Sequence, residues 1–440
     1  MDAIIYRGTN EIGGTLIELR SEKTRLLLDT GYPLFLNNKP IENDILRKDI
    51  TELLELGVLP KIEGLYQWDN PNVDAILISH AHLDHYGLLK YVHSDIPVYL
   101  SNGTNKLIEI SQIFGICEQY KINTNLFNKN ESFNIGDFSI KPYLMDHSAF
   151  DAYAFEISCN SKTIIYSGDF RGHGRNAYYL DNFIKSATKN VDRLFIEGTI
   201  FSGRTDENIM TEEKLEDYIV NKFEGKEGAI LFQTSSQNID RLISFYNAAH
   251  RLGRIFAIDI YTANILYKLN KLKLLDNIPY PSKKYKDIKV FFFPDKFRRM
   301  VYDDERYSQY FSRFHYAISY NKIRREQLKE KQNKIMMFVR ASMQKDLEKC
   351  DFSDGHFIYS LWDGYRDTPY QESFENYLEE KGFKIDNIHT SGHASVKDIC
   401  RLIEGLNPNK ITPIHTMCPN AFLDYFDNVS QQKDGEIFAV

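Results

Sequence analysis

The sequence predicts an α/β protein of two domains, the second inserted into the first. Three observations support this prediction. Short β-rich runs such as "RLLLD" and "TIIYSGD" dominate the chain up to about residue 205, and helical and strand patterns then alternate as in βαβ units. After residue 384 strands followed by histidine resume. We therefore expect a first domain over 1–205 and 385–440 and an inserted α/β domain over 206–384, since 440 residues exceed the usual size of one domain.

The strand "VDAILI" of the first domain runs directly into "SHAHLDHYG", residues 79–87. Three histidines and an aspartate, His80, His82, Asp84 and His85, therefore lie within six positions. Ligand-type side chains at this density are costly to bury unless something compensates them, and a divalent ion commonly does so. The stretch predicts a metal site at the end of this strand. An exposed polar turn is the alternative.

Three later strands of the first domain end with the same chemistry: His147 follows "YLMD", Asp169 lies in "IIYSGD" and His415 follows "ITPI". A single histidine after an apolar run is more often structural than a ligand. Three such side chains beside the first cluster favour the metal-ligand interpretation. Together they give seven candidate ligands, the number that two adjacent ions need.

In the inserted domain, "QTSSQNIDR" lies between the strand "GAILF" and a helix. Ser235, Ser236 and Asn238 cap this helix, hold a substrate phosphate or do both, and Arg241 follows one helical turn later as a further candidate substrate ligand. Ser391 and Gly392 precede the helix "VKDICRLIEGL" and have the same two interpretations. Both remain open for both segments.

Composition excludes some classes of protein and leaves others open. The net charge of -7 argues against a uniformly basic surface but allows a local basic groove. The five cysteines are scattered and odd in number, which argues against a disulfide framework and a thiolate zinc site. No apolar stretch approaches the ~20 residues that span a bilayer, and the N-terminus lacks signal-peptide character. We expect a cytoplasmic protein that does not act at a membrane.

The pattern His-x-His-x-Asp-His, with a later His, Asp and His, resembles the metallo-β-lactamase superfamily. This resemblance implies an αββα sandwich with the ligands on loops at one sheet edge. It assigns His80, His82 and His147 to one zinc ion, Asp84, His85 and His415 to the other, and Asp169 to both; manganese is possible instead. Asp29, in "RLLLDTG", matches the first motif of the superfamily and would orient ligand histidines.

Within the superfamily, three further motifs resemble the β-CASP nucleases, and the ribonuclease J branch most closely. "DRLFIEGT" resembles motif A through Glu197, "HTSGHAS" motif B through His393 and "TPIHT" motif C through His415. The resemblance implies a ribonuclease that hydrolyses single-stranded RNA by a two-metal mechanism, as a 5′-3′ exonuclease, an endonuclease or both. Asp84 and His393 would be catalytic, His393 assisting at the scissile phosphate or leaving group, with Glu197 supporting the site. A structural histidine before a helix is the alternative for His393.

Two other functions fit parts of the sequence. A β-CASP DNA nuclease would share the motifs, but that branch typically has valine in place of His415. A small-molecule hydrolase would keep the ligands and have no need of His393 or of the insertion. Members of the ribonuclease J branch usually carry a further C-terminal domain that supports dimerisation, whereas this sequence ends 25 residues after His415. We expect a monomer or a weak dimer.

Overall fold

A computed structural model of the protein describes residues 1–36, 39–41, 45, 48–202, 209–273, 278–292 and 305–440. The contacts divide the chain into two compact units. The first comprises 1–108, 118–209 and 392–440, and the second comprises 109–117 and 210–391. Domain boundaries were predicted at 205/206 and 384/385, and the short segment 109–117 was not predicted to lie in the second unit.

Two β-sheets form the centre of the first unit. Seven strands make the first sheet: β1 (Asp2–Arg7), β2 (Leu16–Arg20), β3 (Arg25–Leu28), β6 (Ala75–Leu77), β7 (Pro97–Ser101), β8 (Asn123–Phe127) and β22 (Ile437–Ala439). Six make the second: β9 (Phe133–Ile135), β10 (Phe138–Met145), β11 (Ala152–Cys159), β12 (Lys162–Tyr166), β13 (Arg193–Glu197) and β21 (Ile411–Ile414). The spatial orders are β22-β1-β2-β3-β6-β7-β8 and β21-β13-β12-β11-β10-β9. β4 (Phe35–Leu36) and β5 (Lys39–Pro40) form a separate pair.

Helices cover the outer faces of the two sheets. They are α1 (Ile50–Glu55), α2 (Leu83–Tyr86), α3 (Asn102–Ile113), α4 (Tyr178–Ser186) and α12 (Val396–Leu406). Side chains alternate along each strand, so Leu26 and Phe155 lie in the buried cluster between the sheets. Leu27 lies instead in the cluster that includes Leu53 of α1, and Ile165 lies in the cluster with residues of α4 and α12. This layering confirms the predicted αββα sandwich.

One parallel seven-stranded sheet forms the second unit. Its strands are β14 (Ile230–Gln233), β15 (Ile255–Asp259), β16 (Ile288–Phe291), β17 (Lys322–Ile323), β18 (Ile335–Phe338), β19 (His356–Tyr359) and β20 (Lys384–Asn387), in the spatial order β17-β16-β15-β18-β14-β19-β20. The helices of this unit are α5 (Glu212–Phe223), α6 (Ile239–Arg251), α7 (Ile260–Leu272), α8 (Glu305–Ala317), α9 (Arg325–Glu330), α10 (Gln344–Cys350) and α11 (Pro369–Glu380). Parallel neighbours require crossover connections, and helices supply them, which agrees with the alternating sequence pattern.

Residues 109–117 pack within the second unit through polar and aromatic contacts. The hydroxyls of Ser111 and Tyr261 lie 3.1 Å apart, and the ring of Phe114 packs edge-on against Phe311. No helix in the described ranges is long and apolar enough to cross a membrane.

Candidate metal centre

The candidate ligands lie in the first unit, just after the carboxyl ends of its strands. His80 follows β6, His147 follows β10, Asp169 follows β12 and His415 directly follows β21. β10 and β12 are both antiparallel to β11, and β12, β13 and β21 are parallel, so the ends of β10, β12 and β21 meet at one edge of the second sheet. The sheet topology therefore assembles side chains that are distant in sequence.

The short helix α2 presents the remaining ligands of the first cluster. His82 immediately precedes α2, and its carbonyl accepts hydrogen bonds from the amides of His85 and Tyr86 at 2.9 and 3.1 Å. Asp84 and His85 are consecutive residues of α2, and successive side chains of a helix diverge by about 100°. The turn thus separates these two side chains from His82.

His80, His82 and His147 form a compact triangle of imidazoles. Their ring centroids are 4.7 to 4.9 Å apart, and Nδ1 of His82 lies 3.2 Å from Nε2 of His147. Nε2 of the fully buried His80 has no hydrogen-bond partner among the described residues. A buried ring nitrogen left without a partner is costly. The donor set therefore fits a bound cation.

Asp169 lies between this triangle and a second group made of Asp84, His85 and His415. Its Oδ2 atom lies 3.1 Å from Nε2 of His85, 3.8 Å from Nε2 of His415 and 3.9 Å from Nε2 of His80. Nε2 of His415 lies 3.2 Å from Oδ2 of Asp84. Ligand-type atoms of each group thus converge, which points to a metal-binding cluster.

The pKa shifts of His80, His82 and His147 also suit a cation. Burial lowers the pKa of His82 to about 4 and lowers the pKa values of His80 and His147 well below the usual value, so these rings are neutral and offer lone pairs. Burial alone would raise the pKa of Asp84. The hydrogen bond with His415 and the neighbouring histidines have the larger effect and lower this pKa to about 2. Burial lowers the pKa of His85, and Asp169 and Asp29 raise it more. A divalent cation would neutralise the same carboxylates.

Asp29, predicted to orient ligand histidines, is fully buried behind the cluster. Its Oδ2 atom accepts from the hydroxyl of Ser79 at 2.7 Å and lies 2.7 Å from Nδ1 of His85. The Ser79 amide donates to Oδ1, and the phenol of Tyr166 donates to Oδ2. A carboxylate bonded to Nδ1 leaves Nε2 of the imidazole available as a ligand. Ser79 and Tyr166 thus hydrogen-bond the carboxylate that contacts Nδ1 of His85.

Thr199 links motif C to motif B. Its hydroxyl lies 2.8 Å from Nδ1 of His415 and 3.3 Å from Nδ1 of His393. Nδ1 of His393 also lies 3.2 Å from Oε2 of Glu197 and 3.6 Å from Oδ2 of Asp169. His393 and Glu197 are therefore adjacent to the cluster, where the sequence placed them.

The buried carboxylate of Glu197 is held by three backbone amides. Phe170 and Ala394 donate to Oε1 at 3.1 and 3.4 Å, and Thr199 donates to Oε2 at 3.3 Å. Three amide donors thus hold the carboxylate of Glu197 in one orientation, facing the imidazole of His393.

Ser391 and Gly392 do not cap the helix that follows them. α12 begins at Val396, and its N-cap is Ser395, whose hydroxyl accepts from the amide of Asp398 at 3.0 Å. The N-cap interpretation of Ser391 is therefore wrong, and the helix-terminus argument for a phosphate does not apply to these two residues. A Cβ atom at Gly392 would come within 2.5 Å of the Ser148 hydroxyl oxygen, so the backbone packs closely there.

Asn238 is the N-cap of α6, one of the two roles predicted for it, since its side chain accepts from the amide of Arg241 at 3.0 Å. The Ser235 hydroxyl accepts from the amide of Gln237 at 3.2 Å, and the buried Ser236 hydroxyl lies 2.8 Å from that of Thr262. Arg241, predicted as a substrate ligand, is fully buried. Because the guanidinium of Arg241 is buried, it is poorly placed to contact a substrate.

An ion pair between Asp146 and Arg171, which sequence reasoning missed, joins the ends of β10 and β12. Arg171 is fully buried, its Nε donates to Oδ1 of Asp146 at 3.3 Å, and its amide donates to the Asp146 carbonyl at 2.7 Å. Asp146 precedes His147, and Arg171 follows Asp169 by two residues. The pair of opposite charges directly beside two candidate ligands is the signal that could have identified it.

Comparison with known proteins agrees with this geometry. Residues 58–216 match the beta-lactamase superfamily domain, and residues 371–425 match the Zn-dependent metallo-hydrolase RNA specificity domain. The two matches identify a metallo-β-lactamase domain and an RNA specificity domain of Zn-dependent metallo-hydrolases within this chain. The first match contains every candidate ligand but His415, and the second contains His393 and His415.

The relatives are consistent with the ribonuclease J branch of the β-CASP group. A probable RNase of Methanocaldococcus jannaschii is 30% identical over 44% of this chain and 45% of its own length. A ribonuclease J of Pyrococcus abyssi is 23% identical over 93% of this chain and 88% of its own. The chain thus spans less than half the length of the first relative. A crystal structure of an Enterococcus faecalis protein of unknown function has a TM-score of 0.78 at 20% identity, covering 100% of this chain and 99% of that one, which supports the fold.

Proposed function

We propose that this chain is a metal-dependent ribonuclease that hydrolyses phosphodiester bonds of single-stranded RNA with two bound zinc ions. The observation that carries the proposal is the His393–Glu197 pair, at 3.2 Å, beside a complete set of ligand-type side chains. A hydrolase of small activated substrates needs the ligands alone. An oriented imidazole outside the ligand set suits a reaction with a poor alkoxide leaving group, such as the 3′-oxygen of RNA.

The residues present fit two ions. His80, His82 and His147 would hold one, Asp84, His85 and His415 the other, and Asp169 both. Divalent ions bound in this way lower the pKa of water and neutralise charge on a phosphodiester. Asp29 and Thr199 would hold the rings of His85 and His415 so that Nε2 faces the ions.

In the proposed reaction His393 donates a proton to the leaving 3′-oxygen. Glu197, fixed by its amide donors, accepts a hydrogen bond from Nδ1 of His393 and stabilises the protonated ring. The side chain of His393 is 17% exposed, whereas that of Glu197 is fully buried. Of these two side chains, only the imidazole of His393 is exposed enough to reach a substrate.

An RNA substrate is supported by the match to an RNA specificity domain over residues 371–425 and by relatives called ribonucleases. His415 at motif C supports the same choice over a β-CASP DNA nuclease. Ser391, Gly392, Ser235 and Ser236 remain proposed contacts to substrate phosphates, with Asn238 holding the second loop in place. The balance of exonuclease and endonuclease action, a cytoplasmic location and a monomeric or weakly dimeric state remain predictions.

The first expected result concerns metal content. Protein purified without chelator should carry about two zinc or manganese ions per chain, because seven ligand-type side chains exceed the four positions of a single zinc site. Elemental analysis by mass spectrometry measures the stoichiometry. A His147→Ala variant lacks one ligand of the first group only. It should therefore lose the ion held by the first group more readily than the ion held by the second. A wild-type stoichiometry of one or zero after saturation and desalting would contradict the two-ion site.

The second expected result concerns the substrate. One oligonucleotide sequence is prepared as 5′-monophosphate RNA, 5′-hydroxyl RNA, circular RNA and DNA, and each form is incubated with wild-type protein and with an Asp84→Ala control. We expect RNA to be cleaved in preference to DNA, and the 5′-monophosphate RNA fastest, because the proposed phosphate contacts of Ser235 and Ser236 would hold the 5′ end of the RNA. Chelator should stop all cleavage.

The four substrates test the RNA preference and the 5′-phosphate pocket separately. Faster digestion of DNA than of RNA would overturn the RNA assignment and favour the β-CASP DNA nuclease. Equal rates on the two linear RNAs together with rapid cutting of the circle would leave the ribonuclease in place and remove the 5′-phosphate pocket. Cleavage by Asp84→Ala at the wild-type rate would indicate a contaminating nuclease.

A further inference from the structure

The longer segment of the second unit runs from Met210 to Ser391, and a buried ion pair connects its two ends. The hydroxyl of Thr390, at the outgoing end, donates to the carbonyl of Met210 at 2.6 Å. Arg241 of α6 donates through Nη2 to the carbonyl of Thr390 and to Oε1 of Glu212, both at 3.0 Å. Glu212 is the first residue of α5. One guanidinium thus bridges the incoming and outgoing segments.

All three nitrogens of the Arg241 guanidinium are engaged inside the unit. Nε donates to both Glu212 carboxylate oxygens at 3.2 and 3.0 Å, and Nη1 donates to the carbonyl and hydroxyl of Ser360 at 3.2 and 2.6 Å. The side chains of Arg241 and Glu212 are both fully buried. Arginine presents its donors in a rigid planar fork that lysine cannot reproduce. This set of contacts therefore requires arginine at position 241.

The outgoing segment is held at three consecutive residues. The Ser360 hydroxyl donates to the carbonyl of Ile388 at 2.6 Å, Nη1 of Arg241 lies 3.3 Å from Nδ1 of His389, and Nη2 bonds the Thr390 carbonyl. Only Ser391 and Gly392 separate this segment from His393. A backbone fixed at 388–390 limits the conformations open to the peptide that carries His393.

We infer that Arg241 is a positioning residue, which with Glu212 and Ser360 fixes segment 388–390 and so the orientation of the His393 peptide. This inference rests on the catalytic role proposed for His393. A buried ion pair is seldom more stabilising than apolar side chains of the same volume, and retention of such a pair for conformational specificity is attested in some proteins. Catalytic rates are sensitive to small displacements of a reacting group, so the loss of the clamp should reduce turnover.

The test uses the full chain and a double substitution, Arg241→Met with Glu212→Leu. Removing Arg241 alone would leave a buried, unpaired carboxylate and endanger folding, whereas two apolar side chains of similar volume avoid that charge. The double variant should keep its fold and metal content and a KM within about twofold of the wild type, with kcat lowered about tenfold or more. Amide hydrogen exchange should rise at 388–395 and stay unchanged in β14 and β15.

Arg241→Lys provides a second variant if the double variant does not fold. Lysine keeps a positive charge opposite Glu212, but one ammonium cannot bond Glu212, Ser360 and Thr390 in the arginine geometry. The same split between kcat and KM is expected, with a smaller effect. The matched control is Arg251→Met with Glu216→Leu. This pair also joins α6 to α5, at 3.1 Å, but Arg251 is 42% exposed and lies at the far end of α6.

The kinetic constants and the amide hydrogen exchange at 388–395 together test the positioning role of Arg241. A folded Arg241/Glu212 variant with wild-type kcat and unchanged exchange at 388–395 would overturn it, as would an equal loss of activity in the Arg251/Glu216 control. Should wild-type protein fail to cleave RNA, the proposed function falls, and the positioning role is then decided by exchange alone: a rise confined to 388–395 supports it and an unchanged rate rejects it.

Discussion

Replacing Asp84 or His85 with alanine is expected to abolish RNA cleavage while leaving the fold in place. Both side chains lie in the group proposed to hold the second ion, Asp84 at 3.2 Å from Nε2 of His415 and His85 at 3.1 Å from Asp169. Removing a residue that hydrogen-bonds a metal ligand commonly lowers activity about 10- to 100-fold. Removing a ligand itself should lower activity more. Steady-state cleavage of labelled RNA and metal analysis measure the effect.

Neither substitution should unfold the first unit. Asp84 is partly exposed, so its removal leaves no large buried cavity. His85 is fully buried, but after its removal Asp29 still accepts from the amide and hydroxyl of Ser79 and from Tyr166. Losing one buried hydrogen-bond partner costs about 1–3 kcal/mol. Circular dichroism and thermal melting should show a folded protein with a modest decrease in Tm for His85→Ala.

His93 and Asp95 provide matched controls in the same unit. They form a second histidine and aspartate pair close in sequence, but Asp95 is 77% exposed and the pair lies outside the candidate clusters. His93→Ala and Asp95→Ala should keep wild-type activity and metal content. Phosphodiesterase activity retained by Asp84→Ala or His85→Ala at the wild-type level would exclude the proposed two-metal site.

The ligand-type residues could be identified from the sequence because each follows an apolar run. A strand that ends in a polar side chain is a local signal. Three such ends, those of β10, β12 and β21, lie at one edge of the second sheet, and the fourth is the end of β6 in the first sheet. The density of histidine and aspartate after β6 predicts a metal site from the sequence alone. The layered fold followed from the family resemblance, since strand patterns alone do not specify which strands pair.

Contacts between residues distant in sequence could not be predicted. Tyr166 bonds Asp29, 137 residues earlier, and Thr199 lies beside His415, 216 residues later. Thr199 ends the stretch "DRLFIEGT" of motif A, but nothing in that stretch indicates a contact with His415. The sequence predicts Arg241 as a substrate ligand, and its ion-pair partner Glu212 lies 29 residues earlier. The burial of a charge depends on such a partner and is not a local property.

The sequence carries a local signal for the start of α12. The stretch "SVKD" places Ser395 three residues before Asp398, the spacing of an N-cap followed by an acidic side chain in the first turn. The serine hydroxyl accepts the Asp398 amide, and the helix therefore begins after Ser395 rather than after Gly392. This leaves His393 in a loop, where its orientation depends on Glu197 and Thr199.

His393→Ala is expected to lower kcat for RNA by about 10²- to 10⁴-fold, the usual contribution of a general acid, with KM little changed. A group that acts only in the transition state contributes little to ground-state binding. The fold should persist because Glu197 keeps its amide hydrogen bonds. His250→Ala, which removes a 71% exposed histidine of the second unit, serves as the control and should have wild-type kinetics.

A substrate that needs no proton on its leaving group makes the His393 prediction specific. The p-nitrophenyl ester of a nucleoside 5′-phosphate releases a stable phenolate, so His393→Ala should lose far less activity on it than on RNA, whereas Asp84→Ala should lose activity on both. Glu197→Gln, which keeps the shape but removes the charge facing the ring, should show a weaker form of the His393→Ala pattern. A rise in KM for RNA with unchanged kcat would give His393 a binding role. Equal losses on the two substrates would place it among the residues that support the metal site, because only proton transfer to the leaving oxygen distinguishes RNA from the activated ester.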